Sequence, residues 1–270
     1  MNSPESPQVL TAPLVVRTDA GGIATLMLNR PAQFNALSGE LLDALHGALD
    51  MVALDASIRI VVIAGAGRAF CAGHDLKQML ANATEEFVGD LFRRCCDVML
   101  RIASIPQPVI ARVHGVATAA GCQLVAACDL AVAASDARFA TSGINFGLFC
   151  ATPLVPLARN VGRKQAFEMT FTGEFIDATT ARAWGLVNRV VDPGELDAEV
   201  LRLAQSIIEK PADVVADAKA FFYKQIEQNI ADAYRDAAKH ITCNMLGDAG
   251  QEGVKAFIEK RAPAWRKPAG

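Results

Sequence analysis

Two short stretches hold residues whose types and spacing suit chemistry on a carbonyl. One is Phe70-Cys71-Ala72-Gly73-His74-Asp75-Leu76, and the other is His114-Gly115-Val116-Ala117-Thr118-Ala119-Ala120-Gly121-Cys122-Gln123-Leu124. Each reads as a strand, a turn of small residues and the start of a helix. At a helix start the backbone N–H groups have no intrahelical partner and the helix dipole is positive. Two such N–H groups aimed at one point form an oxyanion hole, and small side chains let a carbonyl approach the backbone. The same small residues also suit close packing of a helix on a strand, so spacing alone leaves both readings open. His74 adds a group whose ordinary pKa suits proton transfer, although a bond to the backbone is the plainer role for it.

Other reactive side chains are scattered. Asp75 fits a helix cap, His114 the end of a strand, and Asp129 a structural role at a helix-to-strand junction. The seven cysteines are an odd number with no CxxC pair, which argues against a disulfide framework and against a zinc site. They read as small buried apolar residues. Gly65-Ala66-Gly67 follows an apolar run like the opening of a dinucleotide fingerprint, but Phe70 stands where a third glycine is needed.

The elements that must position these stretches are readable in outline. Leu14 to Val16 and Ile23 to Leu28 flank Asp19-Ala20-Gly21-Gly22, the pattern of a β-hairpin. Ser38 fits the cap of a helix with Leu41, Leu42, Leu45, Leu49 and Val52 on one face. Ile60 to Ile63, Val109 to Val113 and Leu130 to Ala134 are continuous apolar runs, as expected of strands covered on both faces. A helix is expected from Thr84 to about Ile102, and another from about Cys122 to Ala127. After Ala134 the chain reads as mainly helical, interrupted by Gly173, Gly185 and a strand-like Leu186 to Val191. Several helices follow from Asp197 to Ile258, broken near Pro211 and Gly247. Alternating strands and helices predict an α/β core with parallel strands.

Composition limits what this core could serve. Of 270 residues 52% are hydrophobic, so wholesale disorder is excluded. With 26 basic and 29 acidic residues the net charge is −3, which offers no electrostatic footprint for nucleic acid. No run of 18 apolar residues predicts a membrane span. Residues 1–13 carry neither a secretory h-region nor an Arg-rich transit pattern, and read as a flexible tail. Reduced cysteines and the lack of an address together predict a cytoplasmic protein.

The two stretches, with Asn29-Arg30-Pro31 and Asn35-Ala36-Leu37 upstream, resemble the enoyl-CoA hydratase/isomerase family, the crotonase superfamily. The similarity continues through Cys128-Asp129-Leu130-Ala131-Val132-Ala133, Phe171-Thr172-Gly173 and Glu252-Gly253-Val254-Lys255-Ala256-Phe257, and covers roughly residues 14 to 265. Within the superfamily it is nearest to the hydratase-domain-containing subgroup that lacks the catalytic glutamate pair. The resemblance implies a ClpP/crotonase-like α/β fold, a spiral of ββα units over residues 14–205. A C-terminal helical region, 206–270, would build homotrimers that pair into hexamers. It implies an acyl-CoA thioester partner from fatty-acid-type metabolism. Coenzyme A would enter as part of the substrate, with no permanently bound cofactor and no metal. The oxyanion donors map to the backbone of Ala72 and Ala120. The surrounding binding positions are Ala36, Gly73, His74 and Asp75.

The family's hydratases use two glutamates, and this chain has neither. Their positions are Gln123 and Gly143. A glutamine cannot take up a proton near neutral pH, and glycine offers no side chain. Acid–base catalysis contributes about 10²–10⁴-fold per group, so the hydratase, or lyase, reaction and the isomerase reaction are both in question. Decarboxylation or hydrolysis of an acyl-CoA and a non-catalytic acyl-CoA-binding role stand as alternatives. Thr141, Ser142 and Cys150 are further side chains near the implied acyl pocket.

Overall fold

The computed structural model describes residues 12–266, so most of the expected tail lies outside the described residues. The chain opens with β1 (Val15–Ala20) and β2 (Ile23–Leu28), an antiparallel hairpin. Its turn places Gly21 at φ +57° and Gly22 at φ +81°. Both angles lie in the left-handed region that glycine tolerates. Helix α1 (Gly39–Ala53) starts where Ser38 accepts the Leu41 N–H, and all five residues of the expected apolar face are buried.

Strands β3 (Ile60–Gly65), β5 (Val109–Val113) and β7 (Leu130–Ala134) follow as expected, joined in parallel. The first sheet runs in the order β1-β2-β3-β5-β7-β10, with the short β10 (Arg189–Val191) at its edge. A second sheet holds the strands that lead into the two small-residue stretches. It holds β4 (Ala69–Cys71), β6 (Val116–Thr118), β8 (Arg138–Ala140) and β9 (Ile176–Asp177), paired in that order. Residues 138–140 and 176–177 were expected within helical sequence. They are strands because the second sheet supplies their partners, which local propensity cannot foresee.

Both faces of the first sheet are covered, which explains its unbroken apolar runs. On β3, Val61 and Ile63 pack toward α1 and α3 (Glu85–Ser104). Ile60 and Val62 face α8 (Leu196–Ile208), with Leu196, Val200 and Leu203 opposite them. The expected helix after Thr84 is present, with Thr84 accepting the Phe87 N–H as its cap. A short α2 (Leu76–Ala81) precedes it, and α4 (Ala120–Ala127) begins two residues earlier than expected.

The remaining chain is α5 (Ala151–Asn160), α6 (Arg163–Thr172), α7 (Ala178–Trp184), α9 (Ala212–Gln225), α10 (Ile230–Leu246) and α11 (Asp248–Ile258). Gly173 and Gly185 end α6 and α7 in the left-handed conformation, the usual device for stopping a helix. Pro211 and Gly247 mark the breaks anticipated there. Helix α9 is tied to the core by Lys219, whose ammonium bonds to the Ile102 and Gln107 carbonyls and to Asp129 at 2.7–2.9 Å.

Candidate active site

Asn35 holds the first stretch in shape. It sits at φ +56°, directly after Phe34 at +52°. Its side-chain nitrogen bonds to the carbonyls of Ala66, Ala69 and Phe70, and its oxygen accepts the Arg30 N–H. This buried amide closes the loop between β3 and β4 and delivers the chain to Ala72. Gly65 and Gly67 serve that loop, and β4 follows it directly, so no dinucleotide helix opens there. Arg30 also pairs with Asp75 at 3.0 Å, and Asp75 caps α2 by accepting the Gln78 N–H.

The bonding of the turn separates its donors. The Ala72 N–H donates to the Phe34 carbonyl at 3.0 Å. Leu37 donates to Gly73 O at 2.7 Å and accepts the Asp75 N–H at 3.1 Å. Leu37 thereby bonds to the groups on either side of His74, and the His74 N–H keeps no acceptor among the described residues. The Gly73 N–H likewise has no acceptor among the described residues, but Gly73 does not line the cavity, so the free donor at the cavity is His74, not Ala72, which corrects the position expected from the sequence. Ala72 still lines the cavity.

The second stretch brings Ala120 to the same place. Ala120 is the first residue of α4, and its N–H has no acceptor among the described residues. Ala119 before it has φ +49° and ψ −120°, a strained backbone for a residue with a Cβ. Such strain costs on the order of 1–3 kcal/mol and gathers at functional turns. Glycines let the two stretches meet. A Cβ on Gly73 would lie 2.9 Å from the Ala119 Cβ and 3.3 Å from the Ala120 nitrogen. A Cβ on Gly121 would lie 2.1 Å from the Cys71 carbonyl oxygen.

Ala72, His74, Ala120 and Gly143 line one cavity of about 260 Å³, together with Phe92, Phe149 and Cys150. None of the described residues lining it is an aspartate or glutamate. Ser142 contributes a hydroxyl that is 2.7 Å from the Thr118 hydroxyl. Thr141 does not contribute, because its buried hydroxyl donates to Met169 O. Burial pushes the His74 imidazole down to about 4. The ring is therefore neutral at pH 7. It packs edge-on against Phe92 with centroids 4.9 Å apart, and both of its nitrogens are buried without a partner among the described residues.

Several expected positions lie elsewhere. Gln123 is buried and lines a separate cavity with Cys96, Met99 and Tyr223; its side-chain oxygen accepts a weak bond from the Cys95 thiol at 3.9 Å. Ala36 is buried behind the cavity, its carbonyl taken by Arg30 and by the Ser38 N–H. Gly73 and Asp75 shape the turn from behind. His114 bonds to Gly67 O at 2.8 Å and stays out of the cavity.

Cys150 precedes α5, and its sulfur accepts the Gly143 N–H at 3.3 Å. A Cβ on Gly143 would lie 2.8 Å from that sulfur and 2.6 Å from Leu148 O. A glutamate therefore cannot be restored at 143 unless the 143–150 loop moves. The two positions are seven apart in the sequence, and no periodicity announces their contact.

Comparison with known proteins adds independent support. A family model described as "Enoyl-CoA hydratase/isomerase" matches residues 18–268. A solved structure of an enoyl-CoA hydratase from Mycobacterium smegmatis is 57% identical, covers 94% of this chain and 99% of that one, and superposes with a TM-score of 0.92. The crystal structure of human enoyl Coenzyme A hydratase domain-containing protein 3 is 42% identical, covers 93% and 100% of the two chains, and has a TM-score of 0.90. The curated "Enoyl-CoA hydratase domain-containing protein 3, mitochondrial" of Xenopus laevis is 44% identical, over 94% of this chain and 86% of that protein. The crotonase-like α/β fold expected from the sequence is the fold observed. The cytoplasmic placement is overturned: the frog, mouse, human and zebrafish relatives all carry the description mitochondrial.

Proposed function

Because the chain belongs to the enoyl-CoA hydratase/isomerase family, we propose that its cavity receives the acyl end of a CoA thioester and polarises the carbonyl. The thioester oxygen accepts the N–H groups of His74 and Ala120. The observation that carries this reading is that these two N–H groups, left unbonded by the fold, border the same apolar cavity. Negative charge that develops on the oxygen is stabilised there without reorganisation, worth about 10²–10³ in rate per donor.

Among the described residues the lining has no carboxylate to activate a water, and Gln123 faces another cavity. This favours reactions that reach the enolate without a strong base, such as loss of CO₂ from a malonyl-type thioester, over addition of water to a crotonyl-type one. Calorimetry with butyryl-CoA tests the binding, and no heat of binding overturns it. Assays of CO₂ release from malonyl-type esters and of enone absorbance with crotonyl-CoA then separate the reactions. A protein that binds but turns over neither class is an acyl-CoA-binding regulator.

The helical region from 206 onward assembles homotrimers in this proposal. It leaves Phe222, Ile230, Ile241, Phe257 and Ile258 exposed on the single chain, large apolar side chains that an assembly would cover. A monomer in light scattering at micromolar concentration refutes it.

A further inference from the structure

We infer that the Cys150 thiol is the proton donor to the α-carbon of the bound thioester, standing in the space that a side chain at position 143 would occupy. The inference rests on the thioester reading above. Three observations carry it. The Cys150 sulfur lies 3.3 Å from the Gly143 nitrogen and would crowd any Cβ at 143 at 2.8 Å. Cys150 is the one cysteine among the residues lining this cavity. Its sulfur accepts a bond, but its S–H hydrogen has no acceptor among the described residues. The Cys71 and Cys95 thiols, by contrast, donate to Asn35 O and to the Gln123 side chain.

The surroundings suit a proton that leaves and returns. Burial pushes the Cys150 thiol up, and the Gly143 N–H pulls against it. The group is thus protonated at neutral pH, as a donor must be. Once the proton has gone, the thiolate faces the Gly143 N–H and the start of α5, where the helix dipole favours negative charge. In the step itself the enolate electron pair forms a new C2–H bond with the thiol proton. The S–H bond breaks, the thioester C=O re-forms, and water returns a proton to sulfur, its hydroxide combining with the released CO₂ as bicarbonate. No oxidant or further reagent is needed. His74 is the other titratable side chain on the lining, and burial leaves it a weak acid–base group.

Two probes test the assignment on the full chain. Bromoacetyl-CoA carries its electrophile at C2. A thiol beside C2 displaces bromide, forming a thioether and releasing HBr. Peptide mapping should find the label on Cys150, suppressed by excess butyryl-CoA and absent from Cys150→Ser. In D₂O, the reverse of the proposed step exchanges the α-hydrogens of butyryl-CoA. Cys150→Ser and Cys150→Ala should slow that exchange about 10²-fold while butyryl-CoA affinity stays within twofold. Label on another residue, or exchange undiminished in variants that still bind, overturns the assignment and leaves thioester binding intact. Failure of wild type to bind butyryl-CoA overturns both.

Discussion

Asp129 and the cavity lining both hold polar atoms within an apolar interior, and those atoms are treated in opposite ways. At Asp129 the carboxylate accepts the Val109 N–H, the Lys219 ammonium and the Tyr223 hydroxyl, all at 2.6–2.7 Å. Lys219 spends its other hydrogens on two carbonyls. Along the cavity the His74 and Ala120 N–H groups, both His74 ring nitrogens and the Cys150 hydrogen have no partner among the described residues. A buried donor left unbonded costs about 1–3 kcal/mol. Closed networks therefore belong to holding the fold, and open ones belong where a ligand supplies the missing partner.

The comparison can be broken most forcefully at the closed network. Lys219→Met leaves Asp129 buried without its cation, and should lower unfolding free energy by about 3–5 kcal/mol. Urea denaturation reads that loss, and the folded fraction should keep its butyryl-CoA affinity. If affinity falls in parallel, the two regions are not separable. Gly121→Ala probes the boundary between them, since its Cβ would strike the Cys71 carbonyl. It should cost about 1–3 kcal/mol or more, and it should weaken thioester binding as well, because the start of α4 must shift.

pH sharpens the contrast at His74. Its folded pKa, about 4, lies below the ordinary 6.5. The stability tied to its neutral form is fully present above pH 6.5 and is lost as pH falls toward 4, where the unfolded chain takes up a proton that the folded one refuses. The slope is at most about 1.4 kcal/mol per pH unit, and His74→Phe should remove it from pH-dependent melting curves. The smallest effect belongs to exposed pairs such as Arg93 with Asp90 and Asp97. Arg93→Ala should shift stability by about 0–1 kcal/mol and leave affinity untouched. A larger change would place that surface in the site.

Much of the scaffold was readable because its causes are local. The hairpin followed from paired glycines, α1 from Ser38 and a 3.6-residue apolar period, and the parallel strands from unbroken apolar runs. Strands β8 and β9 escaped because their reason for being strands is a sheet assembled from distant segments. The site divides the same way. Ala120 was legible as a small residue at a helix start. The first donor was placed two residues early, at Ala72, because which N–H stays free depends on Phe34 and Leu37, more than thirty positions upstream. Thr141 and Ser142 looked equivalent in sequence, yet one hydroxyl is spent on Met169 and the other borders the cavity.

The sequence by itself determined the family, the α/β class, the two small-residue stretches and the loss of both glutamates, since these are matters of residue identity and short spacing. Tertiary structure alone decided which backbone donors remain free, that Gln123 faces a different cavity, and that the Cys150 sulfur fills the space beside Gly143. The physical reason is that hydrogen bonding is exclusive. Each N–H or thiol is available only if no nearer acceptor takes it, and those acceptors arrive from parts of the chain that only folding brings together.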